Sequence, residues 1–126
     1  MNRILLLATA VALFSNAQAQ DDFENEPILP AEAQECVLPA SPNAIPEDAT
    51  YDQLVAAKKQ VAEFQGEVEV FRACLKEAED NEDNTPGNLA AIVSSYNYSV
   101  EMEERVAERF NEAVRSYKER KAAEDS

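Results

Sequence analysis

The most constraining feature of this chain is a run of apolar residues between positions 54 and 78, separated by alternating steps of three and four residues. The run consists of Leu54, Ala57, Val61, Phe64, Val68, Phe71, Leu75 and Ala78. This spacing places side chains along one stripe of an α-helix, whereas a strand would need strict alternation. Thr50 and Gln53 have the spacing of a capping box, so the helix is predicted to begin at Thr50. The pattern therefore predicts a long helix with a coiled-coil-like stripe at heptad positions a and d.

A second helix is predicted to extend from Pro86 to Lys121. The stretch from Glu79 to Asn88 is rich in Asp, Asn, Pro and Gly, which is typical of a break, and Thr85 before Pro86 is a natural helix start. The expected seam of this helix is Leu89, Ile92, Tyr96, Val106, Phe110, Ala113 and Tyr117, interrupted by Ser99 and Glu103. Two long helices with a short connection favour an all-α fold, an antiparallel two-helix hairpin.

The only two cysteines, Cys36 and Cys74, are predicted to form a disulfide, with free or intermolecular thiols as the alternative. Residues 36–49 contain three prolines and are predicted to form a stiff N-terminal arm. Cys74 lies 24 residues after Thr50, about 36 Å along a helix. The 14 residue-to-residue steps from Cys36 to Thr50 reach about 43 Å as polyproline. The proline-rich arm therefore has the length to run back along the first helix and be disulfide-linked to it.

The N-terminus is typical of an exported protein. Arg3, an apolar stretch and the sequence Ala17-Gln18-Ala19 predict a signal peptide over residues 1–19, cleaved after Ala19, and a periplasmic or secreted location. A retained interfacial helix is the alternative; after cleavage we expect no stable membrane anchor. The remaining predicted regions are an acidic flexible tail (20–35), the arm (36–49), the hairpin (50–121) and a C-terminal tail (122–126).

Charge and side-chain chemistry restrict the possible functions. The chain has 11 basic and 25 acidic residues, a net charge of −14, which becomes −15 once Arg3 is removed with the signal. Such a charge disfavours nucleic acid as a partner. With no histidine, no phosphate-binding loop and no metal-ligand cluster, we expect no catalytic residues, no cofactor and no metal, and hence no enzyme. The acidic turn lacks the ligand spacing of a calcium-binding EF-hand.

A row of small apolar residues lies beside the seam of the second helix. It consists of Val93, Val100, Ala107 and Val114. The first helix offers only polar residues on that flank, so the row is a candidate interface for a second copy or another helical protein. The alternative is a rolled second helix that buries Val100 and Ala107 and turns Glu103 outward.

Parts of the arm and both helices resemble a group of short secreted proteins of alphaproteobacteria that have no assigned activity. The matching residues are Cys36, Pro39, Pro42, Pro46, Ala49, Thr50, Leu54, Val61, Phe64, Phe71, Cys74, Leu75, Phe110, Asn111, Tyr117 and Lys118. The resemblance implies periplasmic residence and a helical hairpin with paired cysteines, and it implies no chemistry. The acidic tail and the acidic turn depart from the pattern of this group.

Together these observations predict a structural or protein-interaction role, with self-association as the expected mode. A different possibility is an inhibitor or holdase chaperone that binds a basic protein of the cell envelope. Its charge would speed encounter with such a partner, and the binding would weaken as salt is added.

Overall fold

A computed structural model describes residues 23–126, which contain three helices and no strand: α1 (Ala31–Gln34), α2 (Tyr51–Glu79) and α3 (Pro86–Glu124). The two long helices pack against each other. The end of α2 meets the start of α3, where Leu75 and Ile92 share a core cluster, and the rings of Tyr51 and Tyr117 lie 6.3 Å apart at the opposite end. The predicted signal peptide lies outside the described residues.

Both long helices begin with a capping box. Thr50 Oγ1 accepts a hydrogen bond from the Gln53 backbone N–H (3.2 Å), and Gln53 Oε1 accepts one from the Thr50 N–H (2.9 Å). Thr85 and Asn88 make the same reciprocal pair at the start of α3. These side chains satisfy backbone donors that have no partner within a helix. The helix start expected at Thr50 and Gln53 is therefore present.

The buried face of α2 follows the heptad stripe. Its buried residues are Leu54, Ala57, Phe64, Val68, Phe71, Leu75 and Ala78. Phe71, Leu75 and Ala78 belong to one cluster with Ile92, and Phe64 and Val68 belong to another with Val106. Because one stripe is buried along 29 residues, α2 supplies most of the apolar surface of the core.

The buried face of α3 differs from the predicted seam. Leu89 and Tyr96 are exposed, while Ile92, Ser99 and Val106 are buried. Relative to the predicted seam, α3 is rotated about its own axis. Ser95 therefore lies beside Leu29 and Leu38 of the N-terminal segment, and Leu89 and Tyr96 lie on the opposite flank. The alternative rolled arrangement is not adopted either, because Val100 and Ala107 are only half-buried. The helix also continues to Glu124, past the expected end at Lys121.

The N-terminal segment, residues 23–49, packs along the helix pair. Ala33 is buried beside Phe71 and Leu75, and Leu29 and Leu38 pack against the same cluster. From residue 29 onward the segment thus differs from the predicted flexible acidic tail. Its backbone is held by α3, since Asn88 Nδ2 donates a 2.7 Å hydrogen bond to the Ile28 carbonyl.

The close approach of this segment to α3 depends on a glycine. A Cβ atom at Gly87 would lie 2.0 Å from the carbonyl oxygen of Glu26. Any side chain there would force the two backbones apart. A further link joins the loop to α1, where Asn81 Nδ2 donates to both carboxylate oxygens of Glu32 at 2.8 Å.

The rest of the N-terminal segment follows α2 toward its start. Cys36 and Cys74 form a disulfide with a Cα–Cα distance of 5.6 Å. Pro42 and Ile45 line one cavity with Val61 of α2. At the far end Arg120 of α3 donates to the backbone carbonyl of Glu47 and, at 2.7 Å, to that of Ala49. The segment is thus attached near both ends of the helix pair.

The apolar residues of this segment differ in burial. Val37 is 80% exposed. Leu38 and Ile45 are half-buried. Neighbouring side chains in an extended backbone point to opposite sides, so Leu38 and Val37 cannot both face the core.

Candidate interaction surface

The candidate interface residues of α3 lie on the flank that the N-terminal segment does not cover. Val93 is exposed, whereas Val100, Ala107 and Val114 are half-buried. Leu89 and Tyr96 join them because of the rotation of α3. We name Leu89, Val93, Tyr96 and Val100 the open strip. Its first three side chains are 39%, 51% and 44% exposed, and its spacing of four, three and four residues is that of one helix face.

A groove separates the open strip from α2. Its floor is formed by Leu75 and Ile92, and its α2 edge by Lys76 and Glu79. Val93 and Tyr96 form the α3 edge, and the groove has a volume of about 330 Å³. Leu89 and Val100 extend the apolar surface along α3 beyond both ends of the Val93–Tyr96 edge.

A layer of polar side chains closes the lower end of the groove, the end that lies farther from the loop between α2 and α3. Arg72 of α2 donates from Nε to the Ser99 hydroxyl at 2.9 Å, and its Nη2 lies 2.7 Å from Glu103 Oε2. The same guanidinium lies 5.4 Å from the centre of the Tyr96 ring, within the range of a cation–π contact. The Ser99 hydroxyl donates to the Tyr96 carbonyl at 2.6 Å. The two polar interruptions of the predicted seam therefore share one partner, Arg72.

This layer was not predicted from the sequence. A signal was available, because Ser99 and Glu103 lie one turn apart in α3 and an arginine at an e position of α2 can reach both. Comparing the charged and polar residues at facing positions of the two helices would have identified the layer.

Charge is distributed very unevenly along the helix pair. Around the loop, residues 23–40 and 67–104 contain 14 acidic and two basic side chains, a net charge of −12. At the other end, residues 41–66 and 105–126 contain nine acidic and eight basic side chains, a net charge of −1. We name the first part the acidic pole. The open strip lies entirely within it.

The opposite end of the molecule has a different chemistry. Tyr51, Tyr117, Arg120 and Lys121 line a cleft there. The Arg120 guanidinium already donates to two backbone carbonyls and lies 5.9 Å from the Tyr117 ring centre. Arg120 therefore holds the end of the N-terminal segment. No pattern in the sequence predicted this role for Arg120.

Two findings concern other kinds of site. Within residues 23–126, no three Cys, Asp or Glu side chains converge as metal ligands would. Among the helices of that same part of the chain, none combines the length and apolar content needed to cross a bilayer.

Comparison with known proteins gives no relative on which to base an assignment: neither a protein-family model, nor a curated protein, nor a solved structure matches this chain.

Proposed function

We propose that this chain is a periplasmic or secreted protein with a structural or protein-interaction role, and that it acts through the uncovered flank of α3. Its fold is an antiparallel two-helix hairpin, coiled-coil-like, with residues 36–49 as a proline-rich arm that the disulfide locks in place. The observation that carries the proposal is the exposed apolar side chains of Leu89, Val93 and Tyr96 beside a formed groove. Contiguous apolar surface of this kind is typical of protein interfaces.

A second copy of the chain is the partner that the sequence favours. The row Val93, Val100, Ala107 and Val114 spans six turns of α3, long enough for helix-to-helix packing between copies. Its lower members lie outside the acidic pole, where two copies can approach without strong repulsion. Burial of apolar surface drives such an association, so it persists at high salt.

The test is the mass of the mature chain in solution, measured by light scattering at about 0.05 M and about 0.5 M salt. Self-association predicts a mass above that of one chain at both salts. Val100→Lys should return the mass to that of a monomer, while Val70→Lys, on an exposed part of α2, should not. A monomer under both conditions would remove self-association from the proposal.

The alternative function is an inhibitor or holdase chaperone for a basic envelope protein, and the acidic pole favours it. A concentration of negative charge in one half of the molecule attracts basic partners and raises their association rate. In this case the partner would be released at about 0.5 M salt, because screening shortens the range of the attraction.

A further inference from the structure

The open strip has the dimensions of a footprint for a short helix. From Leu89 to Val100 it covers 12 residues of α3, which is about 17 Å or three helical turns. The groove beside it has an apolar floor at Leu75 and Ile92. An amphipathic helix that docks in a groove places its anchors at such intervals, one or two per turn.

More acidic than basic side chains border this footprint. Glu79 lies on the α2 edge of the groove, where it pairs with Lys76 at 3.8 Å, and Glu82 and Asp83 lie in the loop that follows α2. Glu101 and Glu104 follow on the outer face of α3, at the lower end of the strip. Of the described acids, Glu82, Asp83 and Glu104 take part in no ion pair, so their charge is not neutralised within the chain. An apolar surface is thus framed by negative charge.

We infer that the open strip binds a basic amphipathic helical segment of another protein, with the apolar face of that segment on Leu89, Val93 and Tyr96 and its lysines or arginines toward the surrounding acids. Charge complementarity selects this partner over a second copy, because a second copy on this strip would bring another acidic pole, of net charge −12, against the first. The inference rests on the proposed interaction role and assigns the partner's chemistry.

The experiment titrates the mature chain with fluorescent synthetic peptides of about 14 residues, long enough for a helix that covers the strip. The first peptide has leucine at heptad positions a and d and lysine elsewhere. The second has the same composition in a scrambled order without an apolar face, and the third replaces each lysine with glutamate. We expect the first peptide to bind at least ten-fold more tightly than either control, and to weaken as salt is raised.

Two valines provide a matched pair of variants. Val93 in the strip and Val55 on α2 are 51% and 52% exposed, and lysine at either position changes the net charge equally. Val93→Lys should weaken binding of the basic amphipathic peptide by at least ten-fold, because it removes an apolar contact and adds repulsion. Val55→Lys should change the affinity by less than about three-fold, since only long-range charge is altered.

Glu104→Gln and Glu112→Gln form a second pair. Both remove one negative charge from α3, but only Glu104 borders the open strip. Glu104→Gln should weaken binding by about three-fold and reduce its dependence on salt, and Glu112→Gln should have a smaller effect. Circular dichroism of each variant establishes that the helices remain formed.

Several outcomes would overturn the inference. Equal binding of the scrambled peptide would show attraction to charge alone, and equal effects of Val93→Lys and Val55→Lys would place the site elsewhere. If scattering detects an oligomer while the peptide does not bind, the inference fails and self-association stands. If the chain is a monomer that binds the peptide through Val93, self-association fails and the inference stands.

Discussion

The two flanks of the helix pair differ in what covers them. On one flank Leu29, Ala33 and Leu38 of the N-terminal segment close over the core cluster around Phe71 and Leu75. On the other, Leu89, Val93 and Tyr96 remain exposed. Two helices that pack face to face cover each other's central stripe but leave an apolar margin on both sides. The chain covers one margin with its own residues and leaves the other open.

The difference also sets how each flank is stabilised. The covered flank is closed by a covalent bond, Cys36–Cys74, and by apolar burial. The open flank is held by the polar layer of Arg72, Ser99 and Glu103, whose contacts are all noncovalent. Small domains bury too little surface to be stable without a cross-link or a partner. We therefore expect the covered flank to contribute most of the stability of the isolated chain.

The disulfide gives the largest expected effect. Replacing both cysteines with serine opens a loop of 38 residues, for which the chain-entropy model gives about 4 kcal/mol of lost stability. In a domain of this size the loss corresponds to a drop in melting temperature of well over ten degrees. Thermal unfolding followed by circular dichroism measures it.

The control is Ala73→Ser, an exposed position next to Cys74, which should change the melting temperature by no more than a few degrees. A shift of one or two degrees in the double cysteine variant would contradict the comparison, since the covered flank would then be stable without its covalent link.

The two glycines of the chain give the next largest effect, with opposite signs. Gly87→Ala forces a Cβ into the backbone of Glu26, so it should lower the free energy of unfolding by about 1–3 kcal/mol. Gly66→Ala meets nothing within 4 Å in the middle of α2, so it should raise that free energy by about 0.5–1 kcal/mol. Urea unfolding of the two variants, side by side with the unaltered chain, measures both signs.

A third variant determines whether the N-terminal segment is the cause. In a chain that lacks residues 20–27, the obstacle at Glu26 is absent, and Gly87→Ala should no longer be destabilising. If the loss of stability persists there, the close approach of the segment to α3 is not its origin.

Sequence and structure agree where a local signal is strong. The stripe of α2 and both helix starts follow from periodicity and capping side chains at Thr50 and Thr85, which depend on neighbouring residues only. The disulfide follows from having two cysteines. These features needed no knowledge of how the helices pack.

The rotation of α3 could not be read in the same way. Leu89 and Tyr96 have seam spacing, but they lie on the open flank because Arg72 engages Ser99 and Glu103 from that side. The packing of residues 29–35 was also missed, because an acidic composition predicts disorder. Its order depends on distant partners, among them Asn88 at the start of α3. Of the four residues of the open strip, the sequence pattern therefore indicated Val93 and Val100 but not Leu89 and Tyr96.

The polar layer gives the smallest effect and tests how the open flank is held. The side chains of Arg72 and Glu103 are 19% and 28% exposed. Arg72→Met leaves the Glu103 carboxylate half-buried without its cation, and we expect the free energy of unfolding to fall by about 1–2 kcal/mol. Glu103→Leu in the same chain should recover most of that loss, because replacing both members of such a pair with apolar residues is often nearly neutral. Urea unfolding of the single and double variants gives the coupling between the two residues.

A double variant no more stable than Arg72→Met alone would mean that the guanidinium stabilises this flank through Ser99 and Tyr96 rather than through Glu103. The open flank would then depend on the hydrogen bond to Ser99 of α3 and on the Tyr96 ring, both of which lie at the Val100 end of the open strip.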